Sequence, residues 1–123
     1  MELFIDFNSD EAFYVQLCNQ IILGIATSKY HEGDSLPSVR QLADMVGINM
    51  HTVNKAYGIL RQEGFVKLDR RRGAVICVDA DKGEILMRMR RELAVAIARG
   101  ICSGVSREEA HSIVDELYDS FDL

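Results

Sequence analysis

Tryptophan is absent from this 123-residue chain, proline occurs once, and no uninterrupted apolar run approaches a membrane span. The amino terminus, MELFIDFNSD, lacks both the basic region and the long apolar core of a signal peptide. A cytoplasmic protein with no membrane partner is therefore expected. Cys18, Cys77 and Cys102 stand singly inside apolar helix or strand patterns without CxxC spacing, and all three read as reduced core residues. His31, His51 and His111 are equally scattered, so no metal motif follows from them. The glycines do not group into a phosphate loop, and no nucleophile and base stand in a motif. Neither a cofactor nor enzymatic activity is expected.

With 48% hydrophobic residues the chain should fold, and its length suits one small domain plus an appendage. The net charge of −5 at first speaks against a polyanionic partner. Its distribution answers part of that. From Lys29 to Val78, eight Lys and Arg residues face five acids, whereas the rest holds six bases against fourteen acids. An acidic appendage on a mildly basic segment fits specific binding with weak non-specific attraction.

That basic segment contains LPSVRQLADMVGINMHTVNKAYGILRQEG, residues 36–64. Val39, Leu42, Ala43 and Val46 fall at helical spacing, and Val53, Ala56, Tyr57 and Leu60 repeat it after a short break. Ser38 and Gln41 are spaced as a capping box, preceded by Pro37. Gly47 can end the first helix in the left-handed conformation, Ile48 can plug the core, and Asn49 can cap the second helix. The pattern predicts a helix-turn-helix, a motif that places its second helix in the major groove of DNA. The face opposite the apolar stripe carries Met50, His51, Thr52, Asn54 and Lys55. Asn and Lys offer donors, Thr and His do either job, and Met can touch a thymine methyl. The bland alternative is a solvated polar face.

Two β-rich runs follow, 65–68 and 74–78, flanking Asp69-Arg70-Arg71-Arg72-Gly73. A hairpin with three arginines at its tip reads as a wing able to reach phosphates or a narrow minor groove. Outside this context such a run would be an ordinary soluble turn.

Tyr14, Gln16 and Leu17, then LPSVRQLA, TVNKAY and EGFV with the Arg and Gly of the wing, resemble the GntR family of winged-helix regulators. The resemblance runs over residues 10–78, and the short helical remainder is similar to the YtrA-like branch. It implies a dimeric transcriptional regulator, most often a repressor. YtrA-like genes often accompany transporter operons, so it also implies control of such an operon and of the regulator's own promoter. Arg40 fits the arginine of the family's LPSxR motif, Thr52 a contacting threonine, and Gly73 a wing glycine. Met50 and Asn54 stand where Arg is common in relatives, and Arg71 replaces the first glycine of the usual wing pattern.

Upstream, Leu3, Ile5 and Phe7 alternate as a short strand, and Ser9 or Asp10 can cap a helix whose apolar face is Tyr14, Leu17, Ile21, Ile22 and Ile25. His31 to Asp34 form a turn. Downstream, residues 79–83 read as a linker. Ile85, Leu86, Met89, Leu93, Ala96, Ile97, Gly100 and Ile101 then define a long helical stripe. Ser106 and Glu109 are spaced as a second capping box, before a helix lined by Ala110, Ile113, Val114, Leu117 and Phe121. A helical hairpin this small has little interior, so its stripes must pack on the first domain or on another copy.

The expected fold is α+β and mainly α: a winged helix-turn-helix over residues 1–78, then a two-helix dimerisation hairpin over residues 79–123. Leu86, Met89, Leu93, Ile97, Ile101, Ile113, Val114, Leu117 and Phe121 are the candidate dimer contacts. A symmetric dimer would address a pseudo-palindromic double-stranded operator with half-sites about 34 Å apart. In it Arg40 and Lys55 would hold phosphates, His51, Thr52 and Asn54 would read base edges, and Arg70, Arg71 and Arg72 would grip the flanking groove. An unknown small-molecule effector could sit at the dimer interface. The alternatives are a winged-helix protein-interaction module and an effector sensor without strong autonomous DNA binding.

Overall fold

The computed structural model describes residues 1–121. The elements run α1 (Phe13–Ala26), α2 (Val39–Val46), α3 (Met50–Gln62), β1 (Val66–Asp69), β2 (Gly73–Ile76), α4 (Lys82–Cys102) and α5 (Arg107–Ser120). They divide into two units, residues 1–80 and residues from Asp81 onward.

In the first unit α1 and α2 each pack on α3, and β1 follows directly from it. Leu17 and Ile21 of α1, Leu42 of α2, Val53 and Leu60 of α3 and Ile76 of β2 are fully buried in one cluster. Each such aliphatic side chain contributes about 1.5–3 kcal/mol by leaving water. The strands form one antiparallel hairpin in the register Val66↔Ile76 to Asp69↔Gly73. Residues 33–36 add a third line to it, which the sequence pattern does not announce: Gly33 N–H donates to Ile76 O, Ile76 N–H to Asp34 O, and Leu36 N–H to Ala74 O.

The expected caps of α2 and α3 form. Gln41 N–H donates to Ser38 Oγ at 3.1 Å while Ser38 N–H donates to Gln41 Oε1 at 3.0 Å. Gly47 ends α2 at φ 77°, a conformation that costs glycine nothing. Asn49 Oδ1 accepts from His51 N–H at 2.7 Å. Tyr57, buried on α3, donates its hydroxyl to Pro37 O at 2.7 Å and so ties α3 to the approach to α2; burial pushes that hydroxyl's pKa up.

The amino-terminal segment differs from expectation twice. Neither Ser9 nor Asp10 caps α1: its N-cap is Ala12, which has no side-chain acceptor. Nor do Leu3, Ile5 and Phe7 form a strand, because no neighbouring strand is there to pair with. Instead two glutamines one turn apart on α1 hold the extended segment. Gln16 is itself buried, accepts from Asp6 N–H at 2.8 Å, and donates to Asp6 O and Glu11 O. Gln20 exchanges the same pair of bonds with the backbone of Phe4. Leu3 and Ile5 are thereby pressed into the core, while Phe7 stays largely exposed with its ring edge against Phe13.

In the second unit, Lys82 and Gly83, expected in the linker, belong to α4, because Asp81 caps the helix by accepting from Gly83 and Glu84 N–H. The Ser106–Glu109 capping box opens α5 as expected. Neither helix contains a buried residue. The two helices make few close backbone approaches, and at the turn between them Val105 covers Gly100. Cys18 and Cys77 are buried, but Cys102 is exposed, contrary to its reading as a core residue: the end of α4 has no core to enter.

Candidate nucleic-acid interface

The 13 residues of α3, MHTVNKAYGILRQ, include Lys55 and Arg61 and no acid, in a chain with 19 acidic residues. Val53, Ala56, Tyr57 and Leu60 face the core, which leaves Met50, His51, Asn54, Lys55, Gly58, Arg61 and Gln62 exposed. Thr52 is half-buried in the first turn. The amino-terminal end of α3 adds the partial positive charge of its backbone dipoles, with no acidic side chain in the first turn to offset it. A polyanion approaching this face meets hydrogen-bond donors and no acidic side chain of α3.

Arg40, the second residue of α2, is exposed, and its guanidinium has no ion pair among the described residues. Lys55 is placed differently from the other polar residues of α3. Its Nζ lies 3.9 Å from the centroid of the Tyr14 ring on α1, a cation–π contact that fixes where the ammonium sits.

At the wing tip, Asp69 Oδ1 accepts from Arg71 N–H at 2.8 Å and from Arg72 N–H at 3.1 Å. These bonds hold the Asp69 carboxyl below the usual carboxylate range, with the Arg72 guanidinium reinforcing the effect. Gly73, at φ 73°, returns the chain into β2 and closes the tip. The side chains of Arg70 and Arg71 are exposed and make no ion pair among the described residues. Arg72 is engaged within the protein: Nη1 donates to Gly33 O at 2.8 Å, and Nη2 lies 3.4 Å from Asp69 Oδ2.

The fold thus brings Arg40, the first turns of α3 and the wing into one unit, whereas Leu86, Met89, Leu93, Ile97, Ile101, Ile113, Val114 and Leu117 lie exposed on α4 and α5, with Phe121 half-buried at the end of α5. By sequence Lys55 and Arg72 count among the free cations, and neither Tyr14 nor Gly33 stands out as a holder. No local signal marks either pairing, because the partners are 41 and 39 residues apart.

A three-helix core with a helix-turn-helix and a β-hairpin wing defines a winged helix-turn-helix protein. Residues 13–76 match the family described as bacterial regulatory proteins, gntR family, and the chain belongs to it. It is 32% identical over 117 residues to the HTH-type transcriptional repressor YtrA of Bacillus subtilis (strain 168), covering 92% of this chain and 89% of that one. Among solved structures it is similar to YtrA from Sulfolobus acidocaldarius, a GntR-family transcription factor, at 40% identity and TM-score 0.64, covering 80% of this chain and 95% of that one. A transcriptional antiterminator from Listeria monocytogenes EGD-e superposes over 98% of this chain and 92% of its own with TM-score 0.87 at 27% identity. The likeness places the chain among YtrA-like DNA-binding transcriptional regulators. Among the described residues no helix is long and apolar enough to cross a membrane.

Proposed function

We propose that the protein is a homodimeric repressor that occupies a pseudo-palindromic operator. The observation that carries this reading is the acid-free exposed face of α3, set beside an arginine-bearing wing in an otherwise acidic chain. Met50, His51, Thr52 and Asn54 read base edges, Asn54 as donor and acceptor and Met50 against a thymine methyl. Arg40 and Lys55 meet phosphates, and Arg70 and Arg71 reach the flanking backbone or minor groove past Gly73.

Support for a second copy comes from α4 and α5. Both carry exposed apolar stripes, from Leu93 at 44% to Ile101 at 67% on α4 and from Val114 at 46% to Ile113 at 52% on α5, and a stripe that long needs cover. Basic residues outnumber acidic ones five to two on α4, and acidic outnumber basic five to one on α5. Association between copies can therefore pair opposite charges while it buries the stripes. By analogy with the YtrA relatives, the operator would lie before a transporter operon and before the regulator's own gene.

The test is selection of bound fragments by the purified full chain, followed by a salt titration on the best fragment and sedimentation equilibrium. A palindromic site, a steep salt dependence and a dimer are expected. Asn54→Ala should relax choice at one base pair per half-site, at a cost of about 1–3 kcal/mol. Sequence-blind binding, or equal losses for Asn54→Ala on operator and random DNA, removes α3 as the reader.

A further inference from the structure

The three arginines of the wing differ in what they already hold. Arg70 and Arg71 have no side-chain partner among the described residues. Arg72 links two parts of the first unit, its own hairpin through Asp69 and the loop before α2 through Gly33 O, and that loop is itself held to the base of β2, since Gly33 N–H donates to Ile76 O at 2.8 Å. Gly33 has φ 89°, a left-handed conformation in which its carbonyl meets the guanidinium. The same loop leads within a few residues to Ser38, the cap of α2, and to Arg40.

We propose that Arg72 and Asp69 form a brace that positions the wing, and that Arg70 and Arg71 alone are its DNA-contacting cations. The inference rests on the operator-binding reading and assigns its parts. Asp69 folds the tip by accepting two backbone N–H groups, which fixes the directions in which Arg70 and Arg71 leave the hairpin. Arg72 then ties the hairpin to the loop before α2, so the wing and the helix-turn-helix present one rigid surface. A guanidinium suits the task because its planar fork can donate to a carbonyl and a carboxylate together, whereas a lysine offers only a point charge on a flexible stem. Holding the wing in its binding geometry before DNA arrives removes an ordering cost from association.

The experiment separates a positioning residue from a phosphate contact by charge. Operator affinity of the full chain is measured against salt for Arg70→Ala, Arg71→Ala, Arg72→Ala and Arg72→Lys, and the amide order parameters of residues 69–73 are measured without DNA. Arg70→Ala and Arg71→Ala should each flatten the salt slope by about 0.9 and leave the tip ordered. Arg72→Ala should weaken binding several-fold at every salt concentration with the slope unchanged, and should loosen the tip in the free protein. Arg72→Lys, which keeps the charge, should not restore binding. A slope loss of about 0.9 for Arg72→Ala together with full rescue by Lys would make Arg72 an ordinary phosphate contact and overturn the brace. Should the protein prove not to bind DNA specifically, the order parameters still decide: an unchanged tip in Arg72→Ala refutes the brace, and a loosened one establishes it apart from the function of the wing.

Discussion

Helix α3 and helix α4 start from similar instructions and end in opposite situations. Each opens on a capping side chain, Asn49 or Asp81, and each carries an apolar stripe at helical spacing. At 21 residues α4 is the longer, with an acid in its first turn and Arg99 in its last, both matched to the helix dipole. Yet α3 buries Val53, Ala56, Tyr57 and Leu60, whereas α4 buries nothing. Caps and periodicity determine where a helix begins, ends and turns its apolar side; whether that side is covered depends on what else the chain brings to it. Around α3 it brings α1, α2 and β1. Around α4 it brings α5, which makes few close backbone approaches to it.

The strongest way to break that contrast is to truncate one large side chain on each helix. Leu60→Ala should cost the first unit about 2–5 kcal/mol, read as lost hydrogen-exchange protection across α1 to α3. Leu93→Ala should leave that protection intact and weaken self-association in sedimentation. Equal loss of protection from both would mean that the stripe of α4 belongs to the same core. Next comes Gly24 against Gly58. A Cβ on Gly24 would lie 2.2 Å from the buried Tyr30 ring, so Gly24→Ala should destabilise by about 1–3 kcal/mol in denaturant unfolding. Gly58, helical with open space around it, should gain about 0.4–1 kcal/mol from the same change by restricting the unfolded chain.

A smaller contrast lies in the two capping boxes, which share one geometry in different surroundings. Ser38→Ala should cost about 1 kcal/mol of first-unit stability, because α2 is packed into that core. Ser106→Ala should appear as lost helicity in α5, with first-unit stability unchanged. The smallest effect is that of pH on the second box. Backbone and hydroxyl bonds from Ser106 hold Glu109 below its ordinary pKa of 4.5. The folded form therefore favours the carboxylate: its contribution is complete above about pH 4.5 and is lost as pH falls through the lower folded value. Amide hydrogen exchange in the first turn of α5 should show fraying in that acid range, and Glu109→Gln should remove the part that comes from this box.

Features legible in the sequence were those whose cause lies within a few residues: the Ser38–Gln41 and Ser106–Glu109 boxes, Asn49, the left-handed Gly47 and the hairpin between Val66 and Ile76. Features that depend on distant partners were not. Nothing near Ala12 shows that Gln16 would organise the approach to α1, or that residues 33–36 would line β2. Cys102 looks like Cys18 in local pattern, and only the absence of a covering element separates them. At the candidate interface, charge and residue type were readable, but the pairings of Lys55 with Tyr14 and of Arg72 with Gly33 are tertiary facts.

The hold of Gln16 and Gln20 on the amino-terminal segment has one more consequence. Carboxamides carry no charge, do not titrate across the range a cell experiences, and bond at a strength that dissolved ions scarcely alter. The segment that seals Leu3 and Ile5 into the core is therefore fastened by neutral groups, while the polar face of α3 and the wing tip present cations. A rise in salt that loosens grip on a charged surface would leave this seam closed, so release of a polyanion need not open the fold.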